Sequence, residues 1–156
     1  MMMTGGEGRL SLWTMDDLTG PERALLCAVR QWFRTGTTGA MAAMRARLDG
    51  AGIPRTALLP LFAVLGGFAV VGVRRPEIGS PGDTRILRDE AALLDLLAAY
   101  QDGDEAEAAD TLALWLPPLV CRMASANARQ LAGLLGGSGI RMIRRRPLRI
   151  VALAAE

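Results

Sequence analysis

Histidine and lysine are both absent from this 156-residue chain, and all eighteen of its basic side chains are arginine. The chain therefore lacks the usual general base, the imidazole metal ligand and the amine that forms Schiff bases. No catalytic motif takes their place, so we expect no enzymatic activity, no cofactor and no bound metal. Abundant alanine, glycine, leucine and arginine beside a single asparagine are typical of GC-rich coding, so arginine usage alone says little about function.

Cysteine and aromatic residues are also scarce. The two cysteines, Cys27 and Cys121, lie far apart in the sequence, each among apolar residues. A zinc site is not expected without histidine or a paired cysteine spacing. We interpret both as buried free thiols of a reducing cytosol, with a disulfide between them as the alternative. Aromatic side chains make up 4% of the chain. The core must therefore be mostly alanine, leucine, valine and methionine, a mixture that favours helices.

A long apolar run is nearly absent as well. The longest uncharged stretch is residues 56–73, and its eighteen residues reach the lower limit for crossing a bilayer. Pro60, the Gly66–Gly67 pair and Gly72 interrupt it, and no aromatic belt flanks it. No secretory signal is predicted at the amino terminus either. We expect buried core over 56–73 and a soluble, cytoplasmic protein that is not inserted in a membrane.

The length fits one domain with a proper core. We predict a mobile amino-terminal segment over residues 1–15 and a single compact helical domain over 16–156, with 16–88 and 89–156 as candidate halves. The fold class is predicted to be mainly α, with five or six helices and a small antiparallel β element, and thus α+β.

Periodicity and capping signals place the elements along the chain. The clearest helix start is Thr19-Gly20-Pro21-Glu22, a capping box with proline in the first turn, and Gly36 ends that helix. The further predicted helices are 39–49, 54–67, 89–101, 105–116 and 118–135. Strands are predicted over 68–73 and 85–87, and one or two short strands over 140–153 that join the strand 68–73.

Two parts of this order are typical of DNA-binding folds. Three helices followed by a strand, a loop and a short strand are the order of a winged-helix domain, although the third helix is too apolar to read bases. Residues 129–138 resemble the first helix and turn of a bacterial helix-turn-helix. That resemblance implies a recognition helix over 138–146.

Charge is strongly segregated along the chain. Residues 77–110 hold ten acidic side chains and two arginines, whereas residues 122–156 hold seven arginines and one acid. The densest basic cluster is predicted to bind phosphate or another anion, and it consists of Arg141, Arg144, Arg145, Arg146 and Arg149. The alternatives are that these arginines contact the acidic block of their own fold or are simply solvated.

The acidic block itself shows no catalytic pattern. Asp89, Glu90 and Asp95 lie near one helix start, and Asp102 and Asp104 lie at the next. Carboxylates at these places stabilise the positive end of a helix, so we expect capping and solvation. The favoured function is a non-catalytic protein-protein interaction or adaptor role. The alternative is a nucleic-acid-binding regulator that uses the carboxy-terminal arginines.

Overall fold

The computed structural model describes residues 10–71 and 74–145. These residues form five α-helices, the first of them bent, and one two-stranded antiparallel sheet, which confirms the predicted fold class. The helices are α1 (Gly20–Gly50), α2 (Leu58–Val71), α3 (Arg88–Asp102), α4 (Glu105–Ala113) and α5 (Pro118–Gly137). The strands are β1 (Leu10–Thr14) and β2 (Arg85–Leu87), and short 3-10 turns span Met15–Asp17 and Arg55–Ala57.

Helix α1 begins at the predicted capping box and bends at the predicted glycine. The Glu22 N–H donates to Thr19 Oγ1 over 3.3 Å, and the Thr19 N–H donates to Glu22 Oε1 over 2.9 Å. Gly36 has φ 75° and ψ 179°, a conformation that a side chain would make costly. Trp32 Nε1 donates to Thr37 Oγ1 across the bend over 2.7 Å. The two predicted helices are therefore the halves of α1.

The predicted strand over 68–73 is wrong for residues 68–71, which continue α2. Phe68 is buried and packs edge-on against Trp115 with ring centroids 5.4 Å apart. Phe68 thus packs against the connection between α4 and α5, and this packing outweighs the strand preference of the valines. The helix also runs through the Gly66–Gly67 pair, which was predicted to end it. The strand-loop-strand of a winged helix therefore does not form from residues 68–71.

The short return strand is present as β2, but its partner is β1. The two strands run antiparallel, with Leu10 opposite Leu87. Ser11 Oγ donates to the carbonyl oxygen of Ile86 over 2.7 Å. The segment 1–15, predicted to be mobile, therefore ends in a hydrogen-bonded strand.

Helix α3 is the most buried helix and packs against α4 and α5. The predicted antiparallel hairpin is confirmed, because Gly103 ends α3 with φ 79° and Asp104 caps α4. Residues 140–145 then cross this end of the hairpin without regular secondary structure. The predicted strand over 140–153 is thus wrong for 140–145, and its remainder lies outside the described residues.

The described part of the uncharged stretch, residues 56–71, supplies core side chains in part. Leu61, Val64 and Leu65 are buried, whereas Leu59 is 77% exposed. No described helix is both long enough and apolar enough to cross a membrane. Cys27 and Cys121 are free thiols and half-buried.

Candidate functional site

Three of the five predicted anion-binding arginines lie beside the acidic hairpin of their own fold. Arg141, Arg144 and Arg145 follow α5 and cross the ends of α3 and α4, where they pair with carboxylates. Arg146 and Arg149 lie outside the described residues.

Arg144 lies among four carboxylates. Its guanidinium is 3.4 Å from Asp95, 3.1 Å from Asp102 and 3.5 Å from Asp104, and it also donates to Glu107. Only 18% of the side chain is exposed. Burial alone would lower the pKa of Arg144, but the surrounding carboxylates outweigh burial and raise it. This side chain is a neutralised cation, although its buried Nε–H has no hydrogen-bond partner among the described residues.

Arg145 joins the carboxy-terminal residues to the start of α1. Its guanidinium makes a two-point ion pair with Glu22, at 2.8 and 3.0 Å, and donates to the carbonyl oxygen of Asp17 over 2.9 Å. It also lies over the Trp13 ring, 5.8 Å from the centroid. The pair is almost completely buried, with 5% of the Arg145 side chain and 0% of the Glu22 side chain exposed. This contact therefore has a structural role.

The main chain of residues 140–145, the carboxy-terminal strap, is held like a bound peptide. Gln101 accepts the Met142 N–H over 2.7 Å and donates to the carbonyl oxygen of Ile140 over 2.9 Å. Asp95 accepts the Arg145 N–H over 2.7 Å. Both anchoring side chains belong to α3, so this helix binds the strap of its own chain through side-chain hydrogen bonds.

These contacts correct the helix-turn-helix interpretation over the described part of the chain. Residues 138 and 139 form a turn and residues 140–145 have no regular secondary structure, so the implied recognition helix over 138–146 is wrong as far as residue 145. Gly139 has φ 81°, which ends the helical run. Arg144 pairs with Asp102 and Arg145 pairs with Glu22, so neither guanidinium group is placed to contact bases in a DNA groove.

Two carboxylates that receive the strap have pKa values shifted in opposite directions. Burial would raise the pKa of Glu22, but hydrogen bonds from Arg145 and from the backbone lower it overall. Burial raises the pKa of Asp95 and is only partly offset by the neighbouring arginines. The charged form of Glu22 is thus stabilised by folding, whereas the charged form of Asp95 is destabilised.

We expect the free energy of unfolding of Asp95→Asn to increase, relative to that of the unmodified protein, as the pH rises from 3 to 7. A raised folded pKa means that stability is lost as Asp95 ionises, and the amide avoids this loss while still accepting the Arg145 N–H. Urea unfolding across this pH range measures the effect. Glu22→Gln is the control of opposite sign, because Glu22 contributes stability above its ordinary pKa that is lost as the pH falls. The same pH dependence of the free energy of unfolding in both variants would contradict the opposite pKa shifts of Asp95 and Glu22.

Sequence reasoning missed a second buried pair. Arg30 of α1 contacts Glu90 of α3 at 2.7 and 2.9 Å, and both side chains are completely buried. Arg30 also donates to the carbonyl oxygens of Asp83 and Arg85, over 2.7 and 3.0 Å. Glu90 caps its helix through the Leu87 N–H, as predicted, but it is not solvated. The two partners are sixty residues apart, and no local pattern in the sequence connects them.

Four arginines that lack a carboxylate partner lie on α1, and four more lie elsewhere among the described residues, namely Arg75, Arg85, Arg88 and Arg122. Within the described part of the chain, no acid pairs with the guanidinium groups of Arg23, Arg34, Arg45 and Arg47, and all four side chains are exposed. Arg141, Arg144 and Arg145, predicted to bind an anion, pair instead with carboxylates of their own chain, which was one of the alternatives. The exposed face of α1 therefore carries part of the available positive charge.

An open apolar groove lies on this face, between the second half of α1 and the start of α2, and we call it the α1–α2 groove. Its volume is about 380 Å³. Apolar side chains of both helices line it together with two arginines, and these residues are Met41, Arg45, Arg55, Leu58, Leu59 and Phe62. Leu59, at 77% exposure, is among the most exposed large apolar side chains described.

No group of three or more potential metal ligands occurs among residues 10–71 and 74–145. An interior cavity lined by leucine, valine and alanine side chains has a volume of about 20 Å³, room for one water but without a polar partner for it. No family model, curated protein or solved structure matches this chain. Its function must therefore be inferred from its own side chains.

Proposed function

We propose that this protein is a non-catalytic interaction domain that holds an acidic, amphipathic helical segment of a partner protein in the α1–α2 groove. The observation that carries the proposal is Leu59, a large apolar side chain that is 77% exposed on a concave surface beside unpaired positive charge. Apolar concavities rimmed by polar groups are typical of protein-binding sites.

The shape of the groove suits side chains of one helix face. A volume of about 380 Å³ accommodates a few apolar side chains at the i, i+3 or i+4 spacing by which amphipathic helices bind. Met41, Leu58 and Phe62 provide the apolar walls, and flexible methionine adapts to differently shaped partners. Burial of Leu59 by the partner would contribute roughly 1.5 to 3 kcal/mol.

The charge of the rim supports an acidic partner. Arg45 has no carboxylate partner among the described residues, and Arg55 reaches only Asp49 at 3.6 Å. Both members of that pair are largely exposed, so the contact contributes little and is easily exchanged for another carboxylate. Carboxylates flanking the apolar face of a partner helix would pair with both arginines.

Nucleic-acid binding is the alternative role. It is less well supported because Arg141, Arg144 and Arg145 pair with carboxylates of the same chain. Phosphate contacts on α1 would give weak, strongly salt-dependent binding without sequence preference. Salt dependence and nuclease treatment therefore separate the two roles.

We expect Leu59→Glu to abolish partner binding, because it places a carboxylate in the apolar groove and repels an acidic segment. Tagged protein is cross-linked in its native cells and purified after nuclease treatment, and the cross-linked partner segment is identified by mass spectrometry. Leu119→Glu is a matched control: Leu119 is also 77% exposed but lies on α5, outside the groove. Circular dichroism checks that both variants fold.

The supporting result is a partner segment with acidic and apolar residues at helical spacing that cross-links to the groove, is retained by Leu119→Glu and is lost with Leu59→Glu. Equal retention by both variants would show that the partner binds elsewhere. Loss of the partner on nuclease treatment would favour the nucleic-acid role.

A further inference from the structure

We infer a second binding site, for a small phosphate-bearing anion, in a groove between the first turns of α1 and its last turn. This terminal groove has a volume of about 350 Å³. One wall contains Gly20, Arg23 and Cys27, and the other contains Arg47 and Gly50. It shares no lining residue with the α1–α2 groove, so the inference does not depend on the proposed function.

The charges in the terminal groove are of one sign and uncompensated. Arg23 and Arg47 both line it, no acidic residue does, and neither arginine has an ion-pair partner among residues 10–71 and 74–145. Of the nearby carboxylates, Glu22 is buried against Arg145, and Asp49 lies 3.6 Å from Arg55 in a weak, exposed pair. Two guanidinium groups that share one concavity repel each other, and an anion between them removes this cost.

The chemistry of the lining favours phosphate. Guanidinium groups present several N–H donors in a planar fork that matches pairs of phosphate oxygens. Because both arginines line the same groove, we infer that one phosphate group accepts hydrogen bonds from both. The rest of the lining is small, with two glycines and two alanines in addition to Cys27, so the main chain is open to a ligand of a few atoms.

Cys27 provides a reporter for occupancy. Its thiol lines the terminal groove, whereas the Cys121 thiol lies on α5 and donates to the carbonyl oxygen of Leu116 over 3.4 Å. A ligand bound between the arginines should shield Cys27 from alkylation and leave Cys121 unaffected. The two free cysteines thus supply a site and an internal control within one molecule.

The experiment titrates the purified full chain with inorganic pyrophosphate, with adenosine diphosphate as an esterified diphosphate, and with a single-stranded oligonucleotide. Binding is measured by calorimetry, and the alkylation rates of both thiols by mass spectrometry. We expect saturable 1:1 binding of a diphosphate and slower alkylation of Cys27 alone. Arg23→Gln and Arg47→Gln should each weaken binding by about tenfold to a hundredfold, as loss of a charge-assisted hydrogen bond does.

Arg34→Gln is the matched control, because Arg34 is an exposed, unpaired arginine of α1 that does not line the terminal groove. Tighter binding of adenosine diphosphate assigns the site to an esterified phosphate, and tighter binding of pyrophosphate to free phosphate. Absence of saturable binding by either, an equal loss in Arg34→Gln, or binding of the oligonucleotide alone would overturn the inference. Leu59→Glu should leave diphosphate binding unchanged, which separates this result from that of the proposed function.

Discussion

Replacing Arg30 with methionine should lower the free energy of unfolding by about 3 to 5 kcal/mol, because it leaves the charge of Glu90 buried without its partner. Both side chains are completely buried, and the guanidinium also satisfies the carbonyl oxygens of Asp83 and Arg85. Methionine replaces much of the volume, so the loss reports the charge and its hydrogen bonds. Urea unfolding followed by circular dichroism measures it.

Arg34→Met is the control for this prediction, since Arg34 lies on the same helix but is exposed. It should change stability by less than about 0.5 kcal/mol. The double variant Arg30→Met/Glu90→Gln should recover part of the loss, because glutamine carries no charge and still accepts the Leu87 N–H. A double variant less stable than Arg30→Met would contradict the explanation.

Replacing Arg145 with methionine should cost about 3 kcal/mol or more and release the carboxy-terminal strap. Glu22 would remain buried and lose both hydrogen bonds to the guanidinium. Released strap amides exchange with solvent, so the Met142 and Ile143 N–H groups should lose hydrogen-exchange protection. Unfolding and hydrogen exchange measured together separate a local release of the strap from global destabilisation.

Arg141→Gln is the matched control within the strap. Its ion pair with Asp102 leaves 70% of the arginine side chain exposed, so its loss should cost less than about 1 kcal/mol. Protection at Met142 should then be retained. An equal effect of the two substitutions would show that the strap is held by overall charge attraction and not by the buried Glu22 pair.

The two buried pairs explain how α1 is positioned. Glu22, near the start of α1, pairs with Arg145 of the strap. Arg30, about two turns later, pairs with Glu90 of α3 and donates to the carbonyl oxygen of Asp83 in the loop before β2. The inward face of the first half of α1 is thus held by charge as well as by apolar packing. Arg23, Arg34, Arg45 and Arg47 of the same helix are exposed.

The sequence by itself determined the features that depend on neighbouring residues. The capping box at Thr19 and Glu22 fixes the start of α1, because both hydrogen bonds form within four residues. The bend at Gly36 and the turn at Gly103 follow from φ values that glycine adopts freely. The helical hairpin follows from a connection of two residues between α3 and α4.

Only the tertiary structure decided what the distant residues do. The short run after Gly67 is apolar on every side, so its sequence is compatible with a strand or a buried helix, and contact of Phe68 with Trp115 selects the helix. Arg145 and Arg30 pair with acidic residues that lie 123 and sixty residues away in the sequence. Attraction between charges depends on their distance in space, so no spacing in the sequence identifies these partners. Charge counts alone therefore located the basic cluster, but the fold decided that its described members are neutralised, whereas Arg23, Arg34, Arg45 and Arg47 of α1 have no carboxylate partner among the described residues.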